Sequence, residues 1–145
     1  MKNILICIDF KDQTESFVQK AIDTFQGVEA EYKLIHVAAP DPDFVGYQVG
    51  PQYIRDFRAH ELRDEHKKLQ KLANLLIDQK LVAEGLLIQG PTIESILEEV
   101  KKLSGDLLVI GSHEHGFLYH SFFGTITYGV LHKTTIPTLV IPINE

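Results

Sequence analysis

The run Leu107-Leu108-Val109-Ile110 is the most apolar stretch of the chain, and it decides the predicted fold. A continuous apolar run of this kind is typical of a strand that is covered on both faces, as in a parallel sheet. Working outward from this central strand, we predict four more, at Ile4–Ile8, Ala30–Val37, Leu81–Ile88 and Pro137–Pro142.

Between the strands, the apolar residues follow the spacing of helices. We predict helices over about residues 12–26, 52–79, 92–103 and 124–132, and a loop rich in proline and glycine over 38–52. Alternating strands and helices predict an α/β fold, in which an open, doubly wound parallel sheet carries helices on both faces. Because neither flank of the loop is long enough to fold alone, we predict a single domain over residues 1–145.

The longest predicted helix has an apolar stripe and a charged face. We assign the stripe to the core and the charged face to solvent, although its basic residues are also candidate contacts for an acidic partner. The stripe consists of Ile54, Phe57, Leu62, Leu69, Leu72 and Leu76. The charged face includes Arg55, Arg58, Arg63, Lys67, Lys68, Lys71, Asp56, Glu61, Asp64 and Glu65.

Charge and cysteine content exclude several classes of protein. Fourteen basic against 20 acidic residues give a net charge of −6, which is unfavourable for general binding to nucleic acid or a membrane surface. The single cysteine, Cys7, excludes an intramolecular disulfide, and its position within a strand predicts a small core residue. With no signal peptide and no apolar stretch of about 18 residues, we expect a cytoplasmic protein.

In open α/β sheets, ligands bind at the carboxyl ends of the strands, where the strand order reverses. This rule directs attention to Asp9, to Val37 and to the segment that follows Ile110. That segment contains Gly111, Gly116 and Gly124, and glycines allow phosphate groups to approach backbone N–H groups. Thr125 then begins a helix, whose amino end favours an anion. The alternative is that the glycines only form a tight loop and Thr125 only caps the helix.

The common phosphate-binding signatures are missing from the chain. There is no G-x-x-x-x-G-K-[ST] motif and no G-x-G-x-x-G after the first strand, so an ordinary P-loop hydrolase or dinucleotide dehydrogenase is not expected. What the chain does contain is Gly111-Ser112-His113 and Gly124-Thr125, followed by the final strand Ile136–Pro142. This pattern resembles the universal stress protein family, with its G-x2-G-x9-G-[ST] motif and a last strand that begins with proline.

The resemblance covers the whole chain. It includes the first strand ending at Asp9, a second strand ending in His36-Val37, and Gly90-Pro91-Thr92 before a helix. It implies a Rossmann-like sheet of strand order 3-2-1-4-5 and a homodimer formed through the last strand, Ile136–Ile143. It also implies a stress-response or signalling role, with an unknown protein partner as a further expectation.

One branch of the family binds ATP, and the resemblance assigns the contacts residue by residue. Asp9 and Val37 correspond to contacts with adenosine, and Ile110 and Gly111 border it. The residues that correspond to contacts with the ribose and phosphates, mostly through main-chain groups, are His113, Gly124, Thr125, Ile126 and Thr127.

The chain departs from the motif at Glu114, where the family has its second glycine. A carboxylate beside the phosphate path repels phosphate by about 1 kcal/mol in water and by more in a shielded cleft. Glu114 either points outward or helps to hold Mg²⁺, which favours carboxylates and phosphates together. The alternative function is therefore a dimeric interaction protein of the same family that binds no nucleotide.

A third hypothesis is an enzyme, and it depends on His113, His115 and His120, a cluster that could bind a transition metal. Residues 111–127 contain no lysine or arginine, so we expect at most slow ATP hydrolysis. We assign no catalytic residue and no metal ligand.

Overall fold

The computed structural model describes residues 1–10, 13–38, 52–113 and 125–143; for 52–58, 113 and 125 it describes the backbone alone. These residues form strands and helices in strict alternation. In chain order the elements are β1 (Lys2–Cys7), α1 (Thr14–Thr24), β2 (Ala30–Ala38), α2 (Gln52–Asp78), β3 (Val82–Gln89), α3 (Thr92–Lys102), β4 (Leu107–His113), α4 (Thr125–Lys133) and β5 (Thr138–Ile143).

The described strands form a five-stranded parallel sheet in the order β3-β2-β1-β4-β5. This confirms the strand order 3-2-1-4-5 that the resemblance implies. β1 and β4 are central, and both are lined by side chains with almost no exposure to solvent, such as Leu5, Ile6 and Val109. Continuous apolar runs are required at these positions because both faces of the sheet are covered.

Helices α1 and α2 cover one face of the sheet, and α3 and α4 cover the other. On the first face, Phe17 of α1 and Leu69 of α2 pack with Leu34 of β2 in one apolar cluster. On the second face, Ile96 of α3 and Val130 of α4 pack with Leu108 of β4. The chain changes face between β3 and β4, which is what a doubly wound sheet requires.

The largest boundary difference is at β4, which extends to His113, three residues beyond the predicted end at Ile110. The extension follows from pairing with β5, where Ser112 lies opposite Pro142 and His113 opposite Ile143. Backbone pairing does not need apolar side chains, so the apolar run underestimates the strand.

The first helix ends two residues before its predicted end at residue 26, and a turn that includes Gly27 follows it. α1 ends at Thr24, and Gly27 follows with a φ of 86° in the left-handed region that glycine adopts at low cost. The predicted loop at 38–52 lies outside the described residues, except at its two ends, where Ala38 closes β2 and Gln52 begins α2.

The apolar stripe of α2 is confirmed at Leu69, Leu72 and Leu76, which are buried, whereas Leu62 is only partly buried. Glu65, however, was predicted to lie on the solvated face, and this is wrong. The side chain of Glu65 is 26% exposed, and its carboxylate turns inward toward His36 of β2. In the described part of the chain, no helix has the length and apolar character to cross a bilayer.

Candidate functional site

The central strands β1 and β4 separate at their carboxyl ends. They pair from Ile4 opposite Leu107 to Ile6 opposite Val109. Beyond this point the chain after β1 stays with β2, and the N–H of Ile8 donates to the carbonyl of Ile35 at 2.8 Å. β4 instead stays with β5 as far as His113. The separation opens a crevice at the reversal of strand order, where ligands of this fold class bind.

Two predicted site residues lie on the β1–β2 side of this crevice. Asp9 follows the buried residue Ile8 and is itself exposed. Val37 lies near the carboxyl end of β2 and is almost completely buried, with its side chain in the core under α3 and α4. The β1 and β2 ends therefore contribute one polar and one apolar group.

On the β4 side, Ile110 is buried and Gly111 follows it. A Cβ atom on Gly111 would lie 2.6 Å from Cδ1 of Ile143 and 3.4 Å from Cε1 of Phe17. The packing of β5 and α1 around this backbone therefore favours a glycine even without a ligand, because a larger residue would displace the end of the Ile143 side chain. The sequence pattern correctly marks a position that excludes side chains, but part of the cause is the core.

Thr127 joins the end of β4 to the start of α4. Its hydroxyl donates a hydrogen bond to the carbonyl oxygen of Gly111 at 3.0 Å, and the residue is only 6% exposed. Since its proton is used inside the protein, the Thr127 side chain positions the first turn of α4 against the crevice. Ile126, the preceding residue, is 42% exposed.

Replacing Thr127 with valine tests this bond, because valine keeps the shape and removes the hydroxyl. We expect the free energy of unfolding to fall by about 1 kcal/mol, since a partly buried carbonyl loses a donor. Thr127→Ser, which keeps the hydroxyl, is the control for the bond and is expected to retain more of the stability. Urea unfolding monitored by circular dichroism measures both variants. A valine variant as stable as the parent would contradict the role of the bond.

Several predicted site residues lie partly or wholly outside the described residues. Gly116, Gly124 and Glu114 are not described, nor are His115 and His120. For His113 and Thr125 the backbone alone is described: His113 ends β4 and Thr125 begins α4. Among the described side chains, no three of His, Cys, Asp or Glu come together as a metal site.

Cys7 lies at the end of β1 and packs against the core under α3 and α4. Burial raises the pKa of its thiol to about 12, so the thiolate that a nucleophile requires is not formed near neutral pH. This fits the prediction of a core residue.

The sequence analysis missed a polar cluster beside the crevice. The Nδ1 atom of His36 lies 2.7 Å from the carbonyl oxygen of Ile8, and its Nε2 atom lies 3.4 Å from Oε2 of Glu65. The ring of Phe10 packs against the His36 ring, with 4.6 Å between centroids. His36 was noted only as part of the family pattern, and no local signal pairs it with a glutamate 29 positions later.

Comparison with known proteins agrees with this architecture. The family model of the universal stress protein family matches residues 1–142. The chain belongs to the universal stress protein family. Universal stress protein YxiE of Bacillus subtilis is 23% identical over 143 residues, which cover 95% of this chain and 97% of the relative. Universal stress protein C of Salmonella typhi is 30% identical over 118 residues, which cover 79% and 85%.

Solved structures show that the fold is shared. Hypothetical protein MJ0577 superposes with a TM-score of 0.79 at 21% identity and covers 99% of this chain and 97% of its own. The universal stress protein from Archaeoglobus fulgidus in complex with dAMP gives 0.65 at 15% identity, with 97% and 98% covered. A universal stress protein in complex with cAMP gives 0.61 at 13% identity, with 97% and 96% covered.

Proposed function

We propose that this universal stress protein binds ATP or another adenine nucleotide in the crevice between the ends of β1 and β4, with little or no hydrolysis. The observation that carries the proposal is the separation of these strands beyond Ile6 and Val109, with the first turn of α4 held to Gly111 by Thr127. Two relatives of the same fold that hold dAMP and cAMP support an adenine nucleotide as the ligand class.

The proposed pose follows from the two sides of the crevice. Adenosine lies against Asp9, Val37, Ile110 and Gly111, and the phosphates extend toward His113 and the start of α4. The residues proposed there are Gly124, Thr125, Ile126 and Thr127, with Mg²⁺ as a proposed companion of the phosphates. The amino end of a nine-residue helix supplies N–H groups and a favourable dipole for the anion.

Direct binding tests the proposal. Calorimetric titration with ATP is expected to show saturable binding, and mass spectrometry of small molecules released from the purified protein is expected to show an adenine nucleotide. Absence of binding at millimolar ATP would reject the proposal and favour the alternative, an interaction protein that binds no nucleotide. Glu114 in place of the motif glycine is the observation that favours this alternative.

Removing the Glu114 carboxylate separates these two functions. If it faces the phosphates, Glu114→Gly and Glu114→Gln are expected to bind ATP about fivefold more tightly, because one repulsion of about 1 kcal/mol is lost. Glu29→Gln is the matched control, since Glu29 precedes the amino end of β2, at the opposite end of the sheet. Calorimetry measures all three. Unchanged affinity in both Glu114 variants would show that the carboxylate points away from the phosphates.

The proposal includes a homodimer that pairs through β5 and a single domain located in the cytoplasm. β5 is an edge of the described sheet, and an unpaired edge strand tends to associate with another. Pro142 lies inside β5 and is exposed, as prolines on edge strands are. Sedimentation equilibrium at micromolar concentration is expected to give a dimer mass, and a monomer mass would contradict this pairing.

A further inference from the structure

A chain of polar contacts links helix α2 to the segment that carries Asp9. Its centre is His36, whose side chain is 12% exposed. On one side, Nδ1 of the ring lies 2.7 Å from the carbonyl oxygen of Ile8. On the other, Nε2 lies 3.4 Å from Oε2 of Glu65, within ion-pair range. We call this set of contacts the His36 bridge.

Both neighbours of the ring are acceptors, which constrains the protons of His36. A carbonyl oxygen only accepts, so Nδ1 must carry a hydrogen to bond Ile8. A neutral ring with that hydrogen presents a lone pair from Nε2 to the Glu65 carboxylate. The doubly protonated ring has an N–H on each side and carries the positive charge that the carboxylate requires.

The partial burial of Glu65 makes its contact with His36 energetically important. Its Oε2 atom is buried and has no hydrogen-bond partner among the described residues. Burying a carboxylate oxygen without a hydrogen-bond donor costs free energy. The positive charge of a protonated His36 offsets part of this cost. When His36 is neutral, that compensation is lost and α2 holds the ring less firmly.

The other end of the bridge holds the segment Ile8–Phe10. Phe10 has a φ of 58°, in the left-handed region that residues other than glycine adopt at a cost, so other contacts must stabilise this backbone. The His36 ring supplies two of them, the hydrogen bond to Ile8 and the packing against Phe10. Asp9 lies between these two residues, and Val37 directly follows His36.

We propose that His36 is a positioning residue for the nucleotide site. The proton on its Nε2 atom sets how firmly Glu65 and α2 hold the Ile8–Phe10 segment, and adenine nucleotide binds more tightly when His36 is charged. The effect of His36 on nucleotide affinity rests on the proposed function, whereas its effect on the Ile8–Phe10 segment does not.

Ionisable residues also lie on the elements that form the bridge. α2 contributes Glu65 and, one turn earlier, Glu61, while Asp9 adjoins the segment itself. On β3, the residue opposite His36 is Leu87, which carries no charge.

The central test replaces Glu65 with glutamine and follows the pH response. The glutamine amide can donate to a neutral Nε2 or accept from a protonated one, so the bridge remains satisfied in both states. Asp64→Asn is the matched control, because Asp64 is the adjacent residue, loses the same charge and pairs with Lys68 instead. Two readouts are recorded from about pH 5 to about pH 8, where histidine side chains change charge.

The first readout needs no ligand: the NMR shifts of the Ile8, Asp9 and Phe10 amides, together with the His36 ring protons. In the parent protein and in Asp64→Asn, the shifts of the amides and of the ring protons are expected to change with pH at the same midpoint. In Glu65→Gln, the pH-dependent change of the amide shifts is expected to be much smaller. The second readout is ATP affinity by calorimetry. From the acidic to the basic end, the affinity is expected to weaken about fivefold more in the parent and in Asp64→Asn than in Glu65→Gln, since changes of charge on ATP and on His113 are common to all three proteins.

His36→Asn provides a second variant that does not depend on Glu65→Gln folding. The asparagine amide nitrogen takes the place of Nδ1 and keeps the bond to Ile8 without titrating. We expect its ATP affinity to show the same reduced pH response as Glu65→Gln and to be higher than that of His36→Ala, which loses the bond altogether.

The amide shifts test the effect of His36 on the Ile8–Phe10 segment, and the ATP affinities test its effect on nucleotide binding. A wild-type pH response of the amides in Glu65→Gln, or its loss in Asp64→Asn, would overturn the role of His36. If the parent protein binds no ATP at any pH while its amide shifts still change with pH, the proposed function and the effect of His36 on nucleotide affinity are rejected. The amide shifts then decide whether His36 positions the Ile8–Phe10 segment.

Discussion

Leu69→Ala is expected to lower the free energy of unfolding by about 2–5 kcal/mol. Leu69 belongs to α2, is completely buried and packs in the cluster between α2 and the sheet. Its side chain fits over Gly85 of β3, where a Cβ atom would lie only 2.9 Å from Cγ of Leu69. Truncation removes apolar contacts and leaves a cavity that the rigid layers of helix and sheet can close only in part.

Leu75→Ala is the matched control for this prediction, since Leu75 lies on the same helix and is 39% exposed. Its loss is expected to cost less than about 1 kcal/mol. Urea unfolding at one fixed protein concentration measures both variants, because dimerisation would make stability depend on concentration. Equal losses for the two leucines would contradict the packing of α2 on β3 described above.

A double-mutant cycle with Gly85→Ala gives a sharper check of the same contact. In the parent, the added methyl group meets both the side chain of Leu69 and its backbone oxygen, at 2.9 and 3.3 Å. In Leu69→Ala the side-chain clash is gone, so Gly85→Ala is expected to cost less there than in the parent. A coupling energy above about 0.5 kcal/mol would be the signature of direct contact, and strict additivity would deny it.

Gly129→Val is expected to destabilise the protein by about 1–3 kcal/mol and to weaken ATP binding. Gly129 lies in α4, where a Cβ atom would be 2.3 Å from Cδ1 and 3.2 Å from Cγ1 of Ile93. Helices α3 and α4 therefore approach too closely for a branched side chain. Valine would push α4 away from α3 and move its first turn, where Thr127 bonds to Gly111.

The compensating change Ile93→Ala tests whether this clash is the cause. Because the three atoms nearest to a Cβ at Gly129 all belong to Ile93, Gly129→Val combined with Ile93→Ala is expected to recover part of the stability and of the ATP affinity. Tyr128→Val introduces the same residue at a 60% exposed position of the same helix and is expected to have little effect. A double variant no better than Gly129→Val would show that another contact is responsible.

Most of the fold could be predicted because buried parallel strands need continuous apolar runs, and such runs are visible without a structure. Leu107–Ile110 and Ile4–Ile8 marked the two central strands for this reason. The strand ends were less predictable, since β4 continues through Gly111 and Ser112 to His113 by pairing with β5. Hydrogen bonds between backbones leave no trace in the identities of the side chains.

The end of the sheet that carries the candidate site could also be predicted, whereas the contacts around it could not. Asp9 follows β1 and Val37 lies near the end of β2, so their place at the carboxyl edge of the sheet could be predicted from the alternation of elements. The inward turn of Glu65 could not be inferred, because a charged residue on a charged helix face gives no sign of a partner on β2. Gly129 gave no sign either, since a glycine within a helix shows that space is limited only when the facing helix is known.

The sequence by itself determined the family, the alternation of strands and helices, and the end of the sheet at which a ligand is expected. These properties depend on periodicity and on motifs, which are local. Only the tertiary structure decided the contacts of Gly111, Thr127 and His36. Gly111 packs against Ile143 and Phe17, and Thr127 donates a hydrogen bond to Gly111. His36 contacts Ile8, Phe10 and Glu65. Such contacts join residues far apart in the chain, and the packing of helices on the sheet sets their distances.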